Sequence, residues 1–101
     1  MGQKVARLGD PVATGHICAS STTLATPGQS KVFANGILIA RITDKTVSHA
    51  FPPKPPCTPH VAAVNAGSNS VYVHGLKIAR DTDSADLGTI TNGSLNVFAG
   101  G

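Results

Sequence analysis

The sequence predicts an all-β fold: a small single domain, residues 1–101, built from three short hairpin units with almost no helix. Three observations predict it. A nine-residue pattern recurs three times, turn-forming residues sit at fixed places within it, and the composition suits short strands joined by tight turns. The first copy is Gly28-Gln29-Ser30-Lys31-Val32-Phe33-Ala34-Asn35-Gly36, and the second is Gly67-Ser68-Asn69-Ser70-Val71-Tyr72-Val73-His74-Gly75. The third is Gly93-Ser94-Leu95-Asn96-Val97-Phe98-Ala99-Gly100-Gly101. Phe33, Tyr72 and Phe98, three of the four aromatic residues, occupy one repeat position. Internal self-similarity of this kind is the mark of a repeated supersecondary unit.

Each element has a local cause. Val32 to Ala34 is a short β-prone run, and Ile37 to Ile42 is a second one. Asn35-Gly36 lies between them, and a type I′ turn needs positive φ at both central residues, which Asn and Gly supply. His74-Gly75 takes the same place in the second unit, where the histidine reads as a surface turn residue, and Gly100-Gly101 would open a third turn. The first two copies continue alike, Ile37 to Asp44 matching Leu76 to Asp83. Ala6-Arg7-Leu8-Gly9-Asp10 matches the tail of that unit, so the repeat begins and ends halfway through. A lone hairpin is marginal in water. Three of them can bury their apolar faces around an approximate threefold axis, and a plain meander is the alternative. A chain that imitates a trimer could cap three equivalent ends of a homotrimer.

Composition narrows the function. A chain of 101 residues buries roughly 60–70% of its unfolded surface, and this one has three Phe, one Tyr and no Trp to fill a core. It carries 11 glycines and 7 prolines, and only 13% of its residues are charged. The net charge of +3 is spread thinly, without a run of Lys or Arg, which argues against nucleic acid as a partner. No apolar stretch reaches the roughly 18–20 residues of a membrane span. Lys4 and Arg7 are not followed by the apolar segment of a secretory signal, so a chain that leaves the cell is expected to be carried.

The segments between hairpins carry the chemistry. His16 follows Asp10, with Cys18 close behind. His49 follows Asp44, and a proline-rich bridge leads to Cys57-Thr58-Pro59-His60. After Asp83 there is neither His nor Cys, only Ser84-Ala85-Asp86-Leu87-Gly88. Structural zinc takes thiolate and imidazole donors in a closed tetrahedral shell. His16, His49, Cys57 and His60 make such a set, with the short Cys57-x-x-His60 spacing able to grip one ion and the prolines stiffening its approach. Zinc is the expected ion, with iron as the alternative. Three other readings stay open: ordinary loop histidines, Cys18 in place of one histidine, and a Cys18–Cys57 disulfide. A metal would tie separated loops to one point in a domain with a thin core.

Taken together, these motifs resemble the PAAR-repeat proteins. The resemblance rests on Arg7 to His16, Gly28 to Asp44, Gly67 to Asp83 and Gly93 to Gly101, which is nearly the whole chain. The name-giving Pro-Ala-Ala-Arg stands here as Leu38-Ile39-Ala40-Arg41 and Lys77-Ile78-Ala79-Arg80, and Gly-Asp becomes Thr43-Asp44 and Thr82-Asp83. The resemblance implies a cone-shaped β domain with zinc at its tip, held by His16, His49, Cys57 and His60. It implies a non-enzymatic tip docked on a trimeric β-helical spike, VgrG in type VI secretion or the central spike of a contractile phage tail. One chain would sit on each trimer and touch the target membrane transiently. Such a protein assembles in the cytoplasm and leaves with the virion or the injection machine. At this length no fused effector is expected.

Two other functions are weighed against it. A zinc hydrolase needs an open metal position and a nearby carboxylate base. Asp10, Asp44 and Asp83 sit at repeat-equivalent turns instead, where structural work is the simpler reading. A small zinc-binding nucleic-acid or protein interaction module is the other. Arg41 and Arg80 precede their aspartates by three residues, which favours an internal Arg–Asp contact. Phe33, Tyr72 and Phe98 belong either to the core or to a docking base.

Overall fold

The computed structural model describes residues 2–51 and 58–100 and is all-β, with no helix among them. The hairpins form where the turn chemistry placed them. Strands β4 (Phe33–Ala34) and β5 (Ile37–Leu38) pair antiparallel across Asn35-Gly36, whose φ angles are 56° and 75°. Strands β8 (Tyr72–Val73) and β9 (Leu76–Lys77) pair across His74-Gly75, at 48° and 83°. The third repeat differs from expectation. Its strand β12 (Phe98–Ala99) opens no hairpin of its own but pairs with β1 (Gln3–Lys4), with Phe98 opposite Lys4 as Phe33 is opposite Leu38. The two chain ends complete one unit together.

Backbone bonds link these pairs in closed rings. Ala6 donates to the Ala79 carbonyl at 2.9 Å, Ala79 to Ala40 at 3.0 Å and Ala40 to Ala6 at 3.0 Å. All three alanines are fully buried, and a larger side chain at any of them would push the strands apart. A second ring runs from Leu8 to Leu38, Ile42 to Lys77 and Asp81 to Lys4, at 2.8–3.0 Å.

Two apolar clusters lie along the molecule. One holds Val5, Ile39 and Ile78 with Ala34, Val73 and Ala99, and the half-buried Val32, Val71 and Val97 cover it. Each trio occupies one repeat position. Phe33, Tyr72 and Phe98 point away from this cluster and are 53%, 54% and 54% exposed, so they are not core residues. The other cluster holds Ala6, Ala40 and Ala79 with Val12, Leu24, Val64, Ala85 and Ile90. It packs beneath a four-stranded antiparallel sheet ordered β10 (Ser84–Ala85), β11 (Gly88–Ile90), β2 (Pro11–Ala13) and β3 (Ser21–Thr23). A separate pair, β6 (His49–Phe51) with β7 (Thr58–His60), sets His49 opposite His60.

The aspartates that close each repeat do structural work. Asp10 accepts from the backbone N–H of Arg7 at 2.7 Å, Asp44 from that of Arg41 at 2.8 Å and Asp83 from that of Arg80 at 3.0 Å. Each Asp N–H returns to its Arg carbonyl, closing a four-residue turn. The third residue of such a turn has positive φ: Gly9 at 86°, Thr43 at 72° and Thr82 at 69°. The Arg side chains add ion pairs, Nε to Oδ2, at 3.1 Å for Arg7 and 2.9 Å for Arg80. The hydrogen bond to Asp83 lifts the Arg80 pKa further above its already high value and outweighs burial, which opposes it.

Candidate metal centre

Three segments run outward after Val12, Thr46 and Ala85 and return to the second apolar cluster at Leu24, Val64 and Ile90. In each, the returning residue donates to the carbonyl of the turn aspartate: Leu24 to Asp10, Val64 to Asp44 and Ile90 to Asp83, all at 2.9 Å. The excursions therefore start and finish alike, although their lengths differ widely. The first brings His16, the second His49 and His60. The third is a two-residue turn that brings Asp86.

These four side chains meet. One donor atom from each lies within 4.8 Å of all the others. Asp86 Oδ2 is 2.8 Å from His16 Nε2, 2.7 Å from His49 Nε2 and 3.4 Å from His60 Nε2. His49 Nε2 lies 3.3 Å from His16 Nε2 and 2.8 Å from His60 Nε2. Tetrahedral zinc with bonds of about 2.0–2.2 Å separates its ligand atoms by about 3.3–3.6 Å, so the set needs only a small expansion to accept an ion. The side chains of His16, His49 and Asp86 are nearly enclosed, and that of His60 is 25% exposed.

Tautomers explain why this packing calls for a cation. His16 Nδ1 lies 2.9 Å from the Ile17 carbonyl, and His49 Nδ1 lies 2.8 Å from the Val47 carbonyl. A carbonyl only accepts, so each Nδ1 carries a proton. In the neutral imidazole each Nε2 is then a bare lone pair, and these lone pairs face one another and an acceptor-only carboxylate. Something positive must lie between them. A proton can serve, and the site invites one. Burial lowers the His16 pKa, but hydrogen bonds to Ile17 and Asp86 and the Asp86 charge outweigh it and raise the group above its ordinary value. Burial likewise works against an ionised Asp86, yet the bonds from His16 and His49 and the nearby imidazoles hold its pKa below the ordinary value. A divalent cation satisfies all four donors at once. Carbonyl bonds to the far ring nitrogen are the usual means of orienting ligand histidines.

The local backbone is built for this convergence. Asp86 adopts φ of 56° as the first central residue of the β10–β11 turn. Its N–H donates to Ala63, the next N–H (Leu87) to Thr14, and its own carbonyl accepts from Asn65 Nδ2 at 3.1 Å. Gly15 and Gly88 let the His16 and Asp86 turns approach. A Cβ on Gly15 would lie 2.1 Å from the Leu87 carbonyl oxygen, and one on Gly88 would lie 1.9 Å from that of Ala13.

Of the donors expected from sequence, His16, His49 and His60 come together and Cys57 lies outside the described residues. Asp86 was not among the expected ligands. Its signal was positional: it stands three residues after Asp83, on the segment equivalent to those carrying His16 and His49. Cys18 is disulfide-bonded, which removes it as a thiolate substitute for a histidine. His74 is exposed on its turn and far in role from this centre. The donor set supports a metal site without fixing the metal. No family model and no curated protein matches the chain.

Proposed function

We propose that this protein is the non-enzymatic tip of a contractile injection spike, a PAAR-like cap in which one chain imitates a trimer. The observation that carries the reading is the closed ring of backbone bonds among Ala6, Ala40 and Ala79. Equal links between three repeat-equivalent residues are what a pseudo-threefold axis through one polypeptide would require. Such a chain can meet a homotrimer with three like contacts. Phe33, Tyr72 and Phe98, exposed at one repeat position, would supply the apolar part of that contact.

The metal centre then belongs at the opposite end and hardens the point. Zinc held by His16, His49, His60 and Asp86 would tie the three excursions, already linked by backbone bonds nearer the core, at one further point, and iron suits the same donors. With four protein donors the coordination shell is closed, the arrangement of a structural site rather than a catalytic one. The cap would assemble in the cytoplasm on its spike, VgrG or a phage central spike, and travel out with the machine. Native mass spectrometry of the protein mixed with a trimeric β-helical spike fragment tests the reading. One chain per trimer is expected; failure to form any complex with such fragments overturns it.

A further inference from the structure

The three Arg–Asp turns are built alike except at Arg41. In the other two, the guanidinium grips its aspartate with two N–H groups: Arg7 Nε and Nη2 reach Asp10 at 3.1 and 3.1 Å, and Arg80 Nε and Nη2 reach Asp83 at 2.9 and 3.0 Å. The remaining Nη1 reaches the turn of a neighbouring unit. Arg7 finds Asn35 Oδ1 at 3.2 Å, and Arg80 finds the Gly100 carbonyl at 3.0 Å.

At Arg41 this arrangement is displaced. The backbone N–H of Gly28 takes Asp44 Oδ1 at 2.9 Å. Arg41 Nε is left 3.6 Å from Asp44 Oδ2, beyond hydrogen-bond reach. Its Nη1 makes one long contact to the Val73 carbonyl, 3.4 Å. The neighbouring turn carries His74 where Arg7 meets Asn35, so no side-chain carbonyl is offered. Arg41 is only 8% exposed, and among the described residues its Nε is a buried side-chain nitrogen with no hydrogen-bond partner. Asp44 still offsets the charge of the guanidinium as an ion pair, but the buried Nε–H goes without a hydrogen bond, and a buried donor left unmet costs its desolvation.

The same residue lines a surface depression of about 250 Å³. Its buried members are Arg41 and Gln29, and its exposed rim is Gly28, Ser30, Lys31 and His74. Gln29 is fully engaged, donating to Val32 and Ile39 and accepting from Lys31 and Val32. Among these buried members the unfilled donor is therefore Arg41 Nε, and Lys31 adds a positive charge that Asp44, already paired with Arg41, does not offset.

We propose that this depression is a binding site for a small oxyanion, a carboxylate or a phosphate, seated on Arg41 and flanked by Lys31 and His74. An acceptor-rich anion supplies what the displaced Asp44 and the missing turn carbonyl do not. Carboxylate and phosphate share this chemistry, and titration separates them.

The test is an amide and Arg Nε–H NMR titration of the metal-loaded protein with sodium phosphate and, separately, with sodium acetate, ionic strength being held with chloride. At least one of the two should give saturable shifts at Gly28, Lys31 and Arg41 Nε–H, with no matching change at Arg80. The stronger arm identifies the ligand class. The variant His74→Asn installs the residue that serves Arg7, and Asn tolerates the positive φ found there. It should fold and lose at least tenfold in anion affinity, because its own carbonyl fills the gap. Lys31→Ala should weaken binding without changing the fold. Absence of saturable shifts from both anions, or undiminished binding in His74→Asn, overturns the proposal.

Discussion

The hairpin half and the loop half of this small protein are held by different means. In the hairpin half, equivalent residues make equivalent contacts: each apolar trio fills one layer and each backbone ring closes at nearly constant distances. Order there comes from many similar small terms. In the loop half, three excursions of unequal length start and end alike and then converge on a few atoms. At their far ends, beyond the sheet and its apolar cluster, order rests on four side chains and on two glycines that permit close approach. Repetition suits packing, where each copy adds a little burial. At the coordination centre the segments contribute unequally: the first gives one histidine, the second two and the third an aspartate. The two halves should therefore fail separately.

Removing the metal is the largest expected effect. Structural zinc contributes on the order of 10 kcal/mol in small metal-dependent domains. Chelation, or His49→Ala, should abolish metal stoichiometry by elemental analysis and lower Tm sharply. Hydrogen exchange should accelerate near His16, His49 and Asp86, while Val5, Ile39 and Ile78, whose N–H groups bond to Val97, Val32 and Val71 within the hairpin cluster, stay protected. Equal loss of protection in both halves would break the comparison. The pH dependence sharpens it. Metal binding requires deprotonated imidazoles, so the stability added by metal should fade as pH falls through the histidine range. In the chelated protein the sign reverses. His16 has its pKa raised above 6.5, so its contribution is full below that pH and is lost as pH rises through the folded value. Asp86 adds stability above its ordinary 3.8, lost only as pH falls further. Melting curves of loaded and chelated protein between pH 5 and 8 should slope in opposite directions (a range set by the ordinary histidine value).

Glycine substitutions separate the halves at a smaller scale. Gly88→Ala would drive a Cβ to 1.9 Å from a backbone oxygen and part β11 from β2. Several kcal/mol of stability, on the scale of overpacking and backbone-shift defects, should go with it, together with much of the metal affinity. Gly36→Ala meets nothing within 4 Å and suffers only from φ of +75°. About 1–2 kcal/mol is expected there, with metal affinity unchanged. Urea denaturation alongside a competitive metal titration reads both; a weakened metal site in Gly36→Ala would show that the halves are coupled.

This division also explains what could be read from the sequence. The hairpins were legible because Asn35-Gly36 and His74-Gly75 specify their own turns, and the same pattern of Val and aromatic after Gly28, Gly67 and Gly93 marks the units. The pairing of β12 with β1 was not, because Gly100-Gly101 reads as a turn until the N-terminal residues are seen to be the missing strand. His16, His49 and His60 were legible by residue type. Asp86 was not, because carboxylates are common in turns and the short third excursion hides its equivalence to the two long ones. Arg41 was grouped with Arg80 by sequence, yet the Gly28 N–H at Asp44 separates them. That difference depends on a backbone path that the repeat pattern does not encode.

The smallest effect concerns the two threonines that stand where Gly9 stands in the first Arg–Asp turn. Thr43 holds φ of 72°, where its β-branched side chain crowds the backbone. Gly9, at 86° in the equivalent turn, has no such conflict. The left-handed conformation costs a non-glycine residue roughly 1–2 kcal/mol, and glycine returns about 0.5–1 kcal/mol of that through its freer unfolded chain. Thr43 is exposed, and its N–H bond to Val64 survives the change. Thr43→Gly should therefore stabilise the protein by about 1 kcal/mol in urea titration. Thr82 is the wrong site for this test, because its hydroxyl accepts from Gln3 Nε2 and the substitution would remove that bond as well. A neutral or destabilising result at Thr43 would mean that the turn gains more from the threonine side chain than its conformation costs.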